Sequence, residues 1–124
     1  MIVTFLRELL EQEISKIYSP DLVTEDQNIG AITFLDGEVL NNICGTISYK
    51  IQPFRVLIRG NKNDSETRSL VNKAFEKLHM LEDIELSNNL IIQVLCSPPV
   101  FVGRDENDNI LYNIMCNLKY RGEL

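Results

Sequence analysis

The residues best suited to binding a ligand form a short acidic run, Asp-Glu-Asn-Asp-Asn, at residues 105–109. Carboxylate and amide oxygens at alternate positions are typical of the start of a calcium loop. Such a loop needs glycine at its sixth position and glutamate at its twelfth, where this chain has Ile110 and Cys116. The run therefore predicts a solvated hairpin turn, with Asn107 or Asn109 in a left-handed backbone conformation.

A second candidate is Gly60-Asn61-Lys62, which lies directly before a predicted helix, where the helix N-terminus attracts anions. The first turn of that helix carries Asp64 and Glu66, which would repel a phosphate, and the glycine-lysine pattern of a P-loop is absent. We therefore interpret this stretch as a capped helix start.

The thiols and the histidine do not form a recognisable reactive group. Cys44, Cys96 and Cys116 are widely spaced, and the chain has a single histidine, His79. This spacing argues against a zinc site and indicates reduced thiols; Cys96 and Cys116 fall in strand-like segments and are interpreted as small buried hydrophobes. No serine lies in a nucleophile motif. The sequence predicts no catalytic residue, no cofactor and no metal.

The elements around these residues centre on one strand and the helix after it. Residues 54–59 alternate in polarity, which is typical of a strand. Asn63, Asp64 and Ser65 all fit the N-cap of the following helix, and Glu66 lies three residues after Asn63, as in a capping box. An apolar stripe then recurs at helical spacing. Its members are Leu70, Val71, Ala74, Phe75, Leu78 and Leu81. A helix with one apolar face needs a sheet to cover.

Periodicity predicts the remaining elements. A first helix is expected over residues 2–18, and strands over residues 31–35, 46–52, 90–96, 100–103 and 110–120. Residues 38–46 fit a helical turn or a loop, residues 82–89 a turn, and Pro53 an edge, bulge or bend. This order predicts a single α+β domain over residues 1–124, with a mostly antiparallel sheet and helices packed on one face.

Charge and hydropathy limit the partners. The chain of 124 residues has a net charge of -6, and its 12 basic residues are scattered, which argues against broad contact with nucleic-acid phosphates. No apolar run approaches the roughly 20 residues that span a bilayer, and no secretory leader is recognisable. We expect a protein made in a cytoplasm, with no membrane segment.

Three stretches carry a resemblance to a known family. They are Pro-Phe-Arg-Val-Leu-Ile-Arg-Gly at residues 53–60, the helix end Ala-Phe-Glu-Lys-Leu-His at 74–79, and the tail from Pro98 to Asn107 that runs into residues 112–114. In their order and spacing they resemble the minor capsid or tail terminator (tail completion) proteins of long-tailed bacteriophages. This chain has Asp108-Asn109 where those proteins have a glycine.

The resemblance implies a virion protein of the tail and head–tail neck, without catalytic activity. It implies a homo-oligomeric ring, usually of six subunits, that sits on the tail tube, ends its polymerisation and presents a surface to the head–tail connector. DNA would pass through the lumen without specific binding, which an acidic subunit favours. The partners would be other copies of the chain, the tail tube protein and the connector or stopper protein.

Contact residues are expected in polar turns that do not contribute to the core. The candidates are Asp36, Gly37, Glu38, Arg104, Asp105 and Glu106, together with Arg59 on the polar face of a central strand as an intersubunit ion-pair partner.

Three alternatives stay open. A head-completion or stopper protein is the nearest, and gene order would separate it from a terminator. A small ligand- or peptide-binding domain would be monomeric with an apolar groove, and a small enzyme would need a nucleophile or metal site that the sequence lacks.

Overall fold

The computed structural model describes the backbone of residues 2–35, 38–41 and 48–122, which form two helices and eight strands. In chain order they are α1 (Ile2–Leu10), β1 (Lys16–Tyr18), β2 (Ile29–Phe34), β3 (Glu38–Asn41), β4 (Ser48–Arg59), α2 (Asp64–Leu78), β5 (Glu82–Leu86), β6 (Asn89–Cys96), β7 (Val100–Arg104) and β8 (Ile110–Gly122).

The eight strands form one curled, mixed sheet in the order β1-β2-β4-β8-β6-β5. The strand β3 pairs with β4 beyond the end of β2, and β7 pairs with β8 beyond the end of β6. The pair β1–β2 is parallel and the other described pairs are antiparallel. Helices and a sheet are both present, as the α+β prediction requires.

The long strands β4 and β8 form the centre of the sheet, and their alternation follows the sequence. Phe54 lies opposite Cys116, and Val56 opposite Ile114, with all four side chains buried. This confirms the strands predicted over residues 54–59 and 110–120. On β8 the predicted apolar face is buried throughout: Ile110, Tyr112, Ile114, Cys116, Leu118 and Tyr120.

Pro53 lies inside β4, because residues 48–52 and 54–59 belong to one strand instead of the two that were predicted. Residues 46 and 47 of the predicted strand lie outside the described residues. Its carbonyl accepts the N–H of Leu35 (2.9 Å), so its missing N–H faces the gap where β2 has ended and β3 has not begun. The Gln52 side chain donates to the carbonyls of Leu35 and Pro53 in the same gap. A proline is tolerated there because no ladder bond is lost.

The helix predicted over residues 2–18 is wrong in its second half. The helix ends at Leu10, and after a turn the chain forms β1, parallel to β2. Ile14 and Ile17 are buried as their spacing requires, but they reach the core from a turn and a strand. Apolar spacing alone does not distinguish these two arrangements.

The start of α2 is as predicted, with one difference in the cap. Asn63 is the N-cap, and its side chain accepts the N–H of Glu66 (3.1 Å). The Glu66 carboxylate accepts a hydrogen bond from the Asn61 side chain (3.1 Å), outside the capping box. Along the helix Val71, Ala74 and Leu78 are buried with the strands' apolar faces.

Residues 82–89 contain a strand that the sequence prediction missed. The strand β5 pairs with β6 through a tight connection, and Ile84 lies opposite Ile91. Ile84 and Leu86 alternate with exposed acidic residues, a pattern too short to stand out in the sequence. Residues 38–41, where a helical turn or a loop was expected, form β3, and residues 42–46 of that segment lie outside the described residues.

One apolar cluster joins both helices to the strands, including Leu6 and Leu10 of α1, Leu78 of α2 and Val94 of β6. Burying a side chain of this size contributes roughly 1.5–3 kcal/mol. In the described part of the chain, neither helix has the length and apolar character to cross a membrane.

Candidate functional site

The hairpin turn predicted at residues 105–109 is built around the Asp105 side chain. Its Oδ1 accepts the N–H groups of Asn107 (2.9 Å) and Asn109 (2.9 Å). The backbone closes through Asp105 N–H to Asn109 O and Asp108 N–H to Asp105 O, both 3.0 Å. The left-handed residue is Asp108 (φ 65°), so its expected position at Asn107 or Asn109 is wrong. The carboxylate thus binds the turn's own N–H groups.

Arg59, at the end of β4, extends over this turn. Its Nε lies 3.0 Å from Asp105 Oδ2, and the two side chains are 15% and 17% exposed. The Nε–H direction does not meet hydrogen-bond geometry, so the contact is an ion pair. The guanidinium also donates through Nη1 to the carbonyl of Thr24 (2.8 Å) and more weakly to that of Asp26 (3.4 Å). Arg59 therefore joins β4 to two loops of the same chain.

The environment of Asp105 stabilises its ionised form. Burial alone would raise the pKa of Asp105, but the hydrogen bonds from Asn109 and Asn107 and the charge of Arg59 outweigh it, so the pKa lies below its ordinary value. At neutral pH Asp105 is an anion that holds both its own turn and Arg59.

Further hydrogen bonds connect the segment before β2 to the same place. Gln27 donates to Asn109 Oδ1 (2.9 Å), and Asn109 is 2% exposed. Asn28 donates its N–H to the Gly60 carbonyl (3.2 Å), and the Asn61 side chain donates to Asn28 Oδ1 (3.3 Å). Residues 24–28, 59–61 and 105–109 thus form one surface region, which we call the three-loop corner.

The three-loop corner forms an open surface cavity of about 190 Å³. It is lined by Glu25, Arg59, Asp105, Glu106 and Asn107. Three carboxylates and one guanidinium line it, so it is acidic, and the guanidinium is already paired. The lining contains no serine, cysteine, histidine or lysine that could act as a nucleophile or base. In the described part of the chain, no group of three or more potential metal ligands is assembled.

The corner brings together three of the predicted contact residues, Arg59, Asp105 and Glu106, and Arg104 lies beside it at the end of β7. Arg104 donates to the Asp108 carbonyl (3.1 Å), and its side chain is exposed. Asp36 and Gly37 lie outside the described residues. Glu38 begins β3, and its side chain is outside the described part. That these residues contact a partner stays a prediction.

An apolar edge that was not predicted from the sequence lies beside the corner. In β7, Val100, Phe101 and Val102 are 58%, 54% and 50% exposed. Phe101 packs edge-on against Tyr112 (centroids 5.8 Å apart), and Val102 lies at a register shift between Phe101 and Gly103. A strand that is buried on one face alternates apolar and polar side chains, and this strand has three consecutive apolar residues after Pro-Pro. That departure from alternation was a signal for an exposed apolar edge.

Comparisons with known proteins give one match in fold and one match to a sequence family. A solved structure described as "Virion of native gene transfer agent (GTA) particle" contains a chain that is similar in fold, with a TM-score of 0.61 and 9% identity, covering 94% of this chain and 84% of that one. No curated protein sequence matches significantly. Residues 21–121 match the family described as "Bacteriophage tail terminator protein". The chain therefore belongs to the bacteriophage tail terminator protein family.

Proposed function

We propose that this protein is a non-enzymatic ring subunit that caps the phage tail tube, ends its polymerisation and joins the tail to the head connector. Six copies form the ring, and each contributes its 124 residues as one domain with both helices on the core face of the sheet. The protein is made in the host cytoplasm and functions in the virion. The observation that carries the proposal is the family match over residues 21–121, supported by the open apolar edge of β7.

The edge of β7 is the surface proposed to meet the next subunit. Among residues 2–35, 38–41 and 48–122, the only strand that pairs with β7 is β8. An edge strand that exposes apolar side chains and one row of backbone groups is a template for pairing with another chain. With Val100, Phe101 and Val102 all at least half exposed, covering this edge removes apolar surface from water.

Two other edges of the sheet are protected. At β1, the N–H of Ile17 donates to Glu11 Oε2 (3.0 Å) and its carbonyl accepts from Arg7 Nε (3.1 Å). At β5, the exposed residues Glu82, Asp83 and Glu85 place like charges along the strand. Capped backbone groups and charged side chains both discourage edge pairing. The β7 edge, in contrast, exposes apolar side chains, which supports it as the edge that associates with another subunit.

The predicted polar contacts continue this apolar edge. Arg104 ends β7, and Glu106 follows in the turn with its side chain exposed. We propose that Arg104 and Glu106 touch the neighbouring subunit, while Arg59 and Asp105 act indirectly by fixing the turn. Asp36, Gly37 and Glu38 stay candidates for a second contact. A closed ring requires that the β7 surface meets a different surface of the next copy.

The acidic charge of the subunit fits a channel for DNA. A net charge of -6 repels phosphate over the distance of a Debye length, so DNA can pass without binding tightly. A structure of the assembled ring tests this directly. A lumen dominated by lysine and arginine would contradict it.

The first experiment tests the ring and its edge together. We expect concentrated protein to give closed rings of six subunits in negative-stain images and a matching mass by light scattering. Val102→Lys places a charge on the proposed edge at a residue that lies outside the regular β7–β8 register, and it should leave folded monomers. Met80→Lys is the matched control, because Met80 is 52% exposed and lies away from β7, and it should keep the ring. Its N–H bonds to Val94 of β6, opposite Leu118, whereas β7 pairs with residues 110–113 of β8.

The second experiment tests the function. Tail tube protein polymerised in the presence of this protein should give tubes capped at one end and shorter than tubes formed alone. Met80→Lys should cap normally and Val102→Lys should not. If the wild-type protein neither forms rings nor binds tubes, the terminator function is wrong. Binding to the connector without any effect on tube length would instead favour a stopper or head-completion protein.

A further inference from the structure

Cys96 and Cys116 are brought face to face inside the sheet. Cys96 is the last residue of β6, and its Cα partner on β8 is Cys116. Their Sγ atoms are 2.6 Å apart, and both are free thiols. Both side chains point into the core, with 8% exposure for Cys96 and 3% for Cys116.

The backbone around the pair already has the geometry that a disulfide needs. The N–H of Cys96 donates to His79 Nδ1 (3.0 Å), away from β8, whereas the N–H of Ser97 donates to the Met115 carbonyl on β8 (2.8 Å). Cys96 and Cys116 therefore occupy a non-hydrogen-bonded pair, in which Cα atoms are about 4.5 Å apart. Disulfides span Cα separations of about 4.4–6.8 Å, so closure requires little backbone movement.

We propose that Cys96 and Cys116 are a redox pair that closes to an intramolecular disulfide when the protein leaves a reducing environment. The oxidant is a low-molecular-weight disulfide such as glutathione disulfide. The Cys96 thiolate attacks one sulfur of that disulfide and releases one glutathione thiolate, and the Cys116 thiolate then attacks Cys96 Sγ and releases the second. The two protein thiols lose two protons and two electrons, which two molecules of glutathione carry away.

The order of attack follows from exposure, and the low acidity of the Cys116 thiol affects the rate. Cys96 is the more accessible sulfur and lies at the end of its strand. The hydrogen bond with Cys96, and then burial, raise the pKa of Cys116 well above the ordinary thiol range. The thiolate is the reacting form, so oxidation of this pair is slower than that of an exposed cysteine.

Closure would link β6 to β8 and enclose β7 in a covalent loop, because β7 lies between the two cysteines in the chain. The loop restricts the unfolded chain and so stabilises the folded state. A virion protein passes from a reducing cytosol to an oxidising medium, where such a bond persists. The disulfide chemistry itself does not depend on the proposed function, since it concerns only the folded subunit.

The test uses a Cys44→Ser variant, which removes the third thiol, kept folded in glutathione disulfide or in a reductant. In the oxidised sample we expect a mass lower by two hydrogen atoms, a Cys96–Cys116 crosslinked peptide after digestion without reduction, and a thermal midpoint raised by about 5–15 °C. Rings, tube capping and connector binding are not part of this readout, so its failure is separable from failure of the terminator function.

Single variants show whether the two sulfurs act together. Cys96→Ala and Cys116→Ala, each in the Cys44→Ser protein, should lose the crosslink and the oxidant-dependent rise in thermal midpoint. The proposal is overturned if the Cys44→Ser protein keeps two free thiols in the oxidant until it is unfolded by denaturant. It is equally overturned if oxidation stops at a stable adduct with glutathione.

Discussion

Gly60 lies so close to Thr67 that a single methyl group on the glycine would overlap the threonine side chain. Thr67 is fully buried in the first turn of α2, and its hydroxyl bonds to both the N–H (3.1 Å) and the carbonyl (3.3 Å) of Asn61. Gly60 itself donates to the Ile110 carbonyl (2.9 Å). The first turn of α2 thus packs directly on the glycine that follows β4, with no space left between them.

Gly60→Ala should therefore destabilise the fold by about 2–3 kcal/mol, because the added carbon forces a shift in a packed region. The backbone of Gly60 is not left-handed, so the destabilisation comes from steric overlap and not from backbone strain. Urea unfolding followed by circular dichroism measures it. Thr67→Ala alone should cost about 1–2 kcal/mol through the lost hydroxyl contacts.

The double variant Gly60→Ala, Thr67→Ala separates this contact from a general loss of stability. Removing the threonine side chain creates the space that the new methyl group needs. The two costs should fall short of additivity by at least about 1 kcal/mol. Strictly additive costs would show that Gly60 is not limited by Thr67.

Asp105 should stabilise the protein in a pH-dependent way. Its folded-state pKa lies below the ordinary value of 3.8, so its contribution is present above about pH 4 and is lost as the pH falls through the folded-state pKa. Asp105→Asn should lower the free energy of unfolding by about 1–2 kcal/mol at pH 7, because it removes the ion pair with Arg59 and weakens two hydrogen bonds.

Urea unfolding at pH 7 and pH 3 should show that the difference between wild type and Asp105→Asn shrinks at the lower pH. Glu106→Gln is the matched control, since Glu106 is exposed in the same turn, and it should change stability by less than about 0.5 kcal/mol. An unchanged difference at the two pH values would mean that the charge of Asp105 is unimportant.

Asp108 should respond to substitution according to its backbone conformation. Its φ of 65° is costly for most residues but free for glycine. Asp108→Gly should be more stable than Asp108→Ala by about 1 kcal/mol, and Asp108→Asn should resemble wild type. The ion pair with Arg104 (3.7 Å, both side chains exposed) contributes little. Equal stability of the glycine and alanine variants would contradict this account.

Elements whose type is indicated by the pattern of their own residues were predictable from the sequence. The strand β8 buries every second side chain over most of its length, and α2 begins at a capping asparagine followed by an apolar stripe. Each of these patterns fits one kind of element only. The strand–glycine–helix unit at residues 54–78 was predictable for the same reason.

Elements decided by distant contacts were not predictable. Residues 11–18 have helical spacing, but Ser15 N–H donates to the Asn28 carbonyl (3.2 Å) and Ile17 pairs beside Gly30. These contacts with residues 28–30 form only once β2 is placed on β4. In the site, Arg59 and Asp105 were both chosen from the sequence, but their pairing depends on the β4–β8 register. No sequence pattern indicated the hydrogen bond between Gln27 and Asn109, which lie 82 residues apart.

The protection of the β1 edge can be tested at Glu11. Its carboxylate accepts the N–H of Ile17 (3.0 Å), and Glu11→Ala removes that acceptor at a half-buried position. Hydrogen exchange of the Ile17 amide should become about 10- to 100-fold faster, which corresponds to the loss of one charge-assisted hydrogen bond. The amides of β8 should be unaffected.

Lys16→Ala is the control for this experiment, because it removes an ion pair of the same Glu11 carboxylate, 3.9 Å long, and leaves the bond to Ile17 in place. It should leave the Ile17 amide protected. If Glu11→Ala does not accelerate exchange, the backbone of β1 is protected by β2 alone. The edge would then have no side-chain cap, and β7 would lose its contrast with β1 as the edge open to a neighbouring subunit.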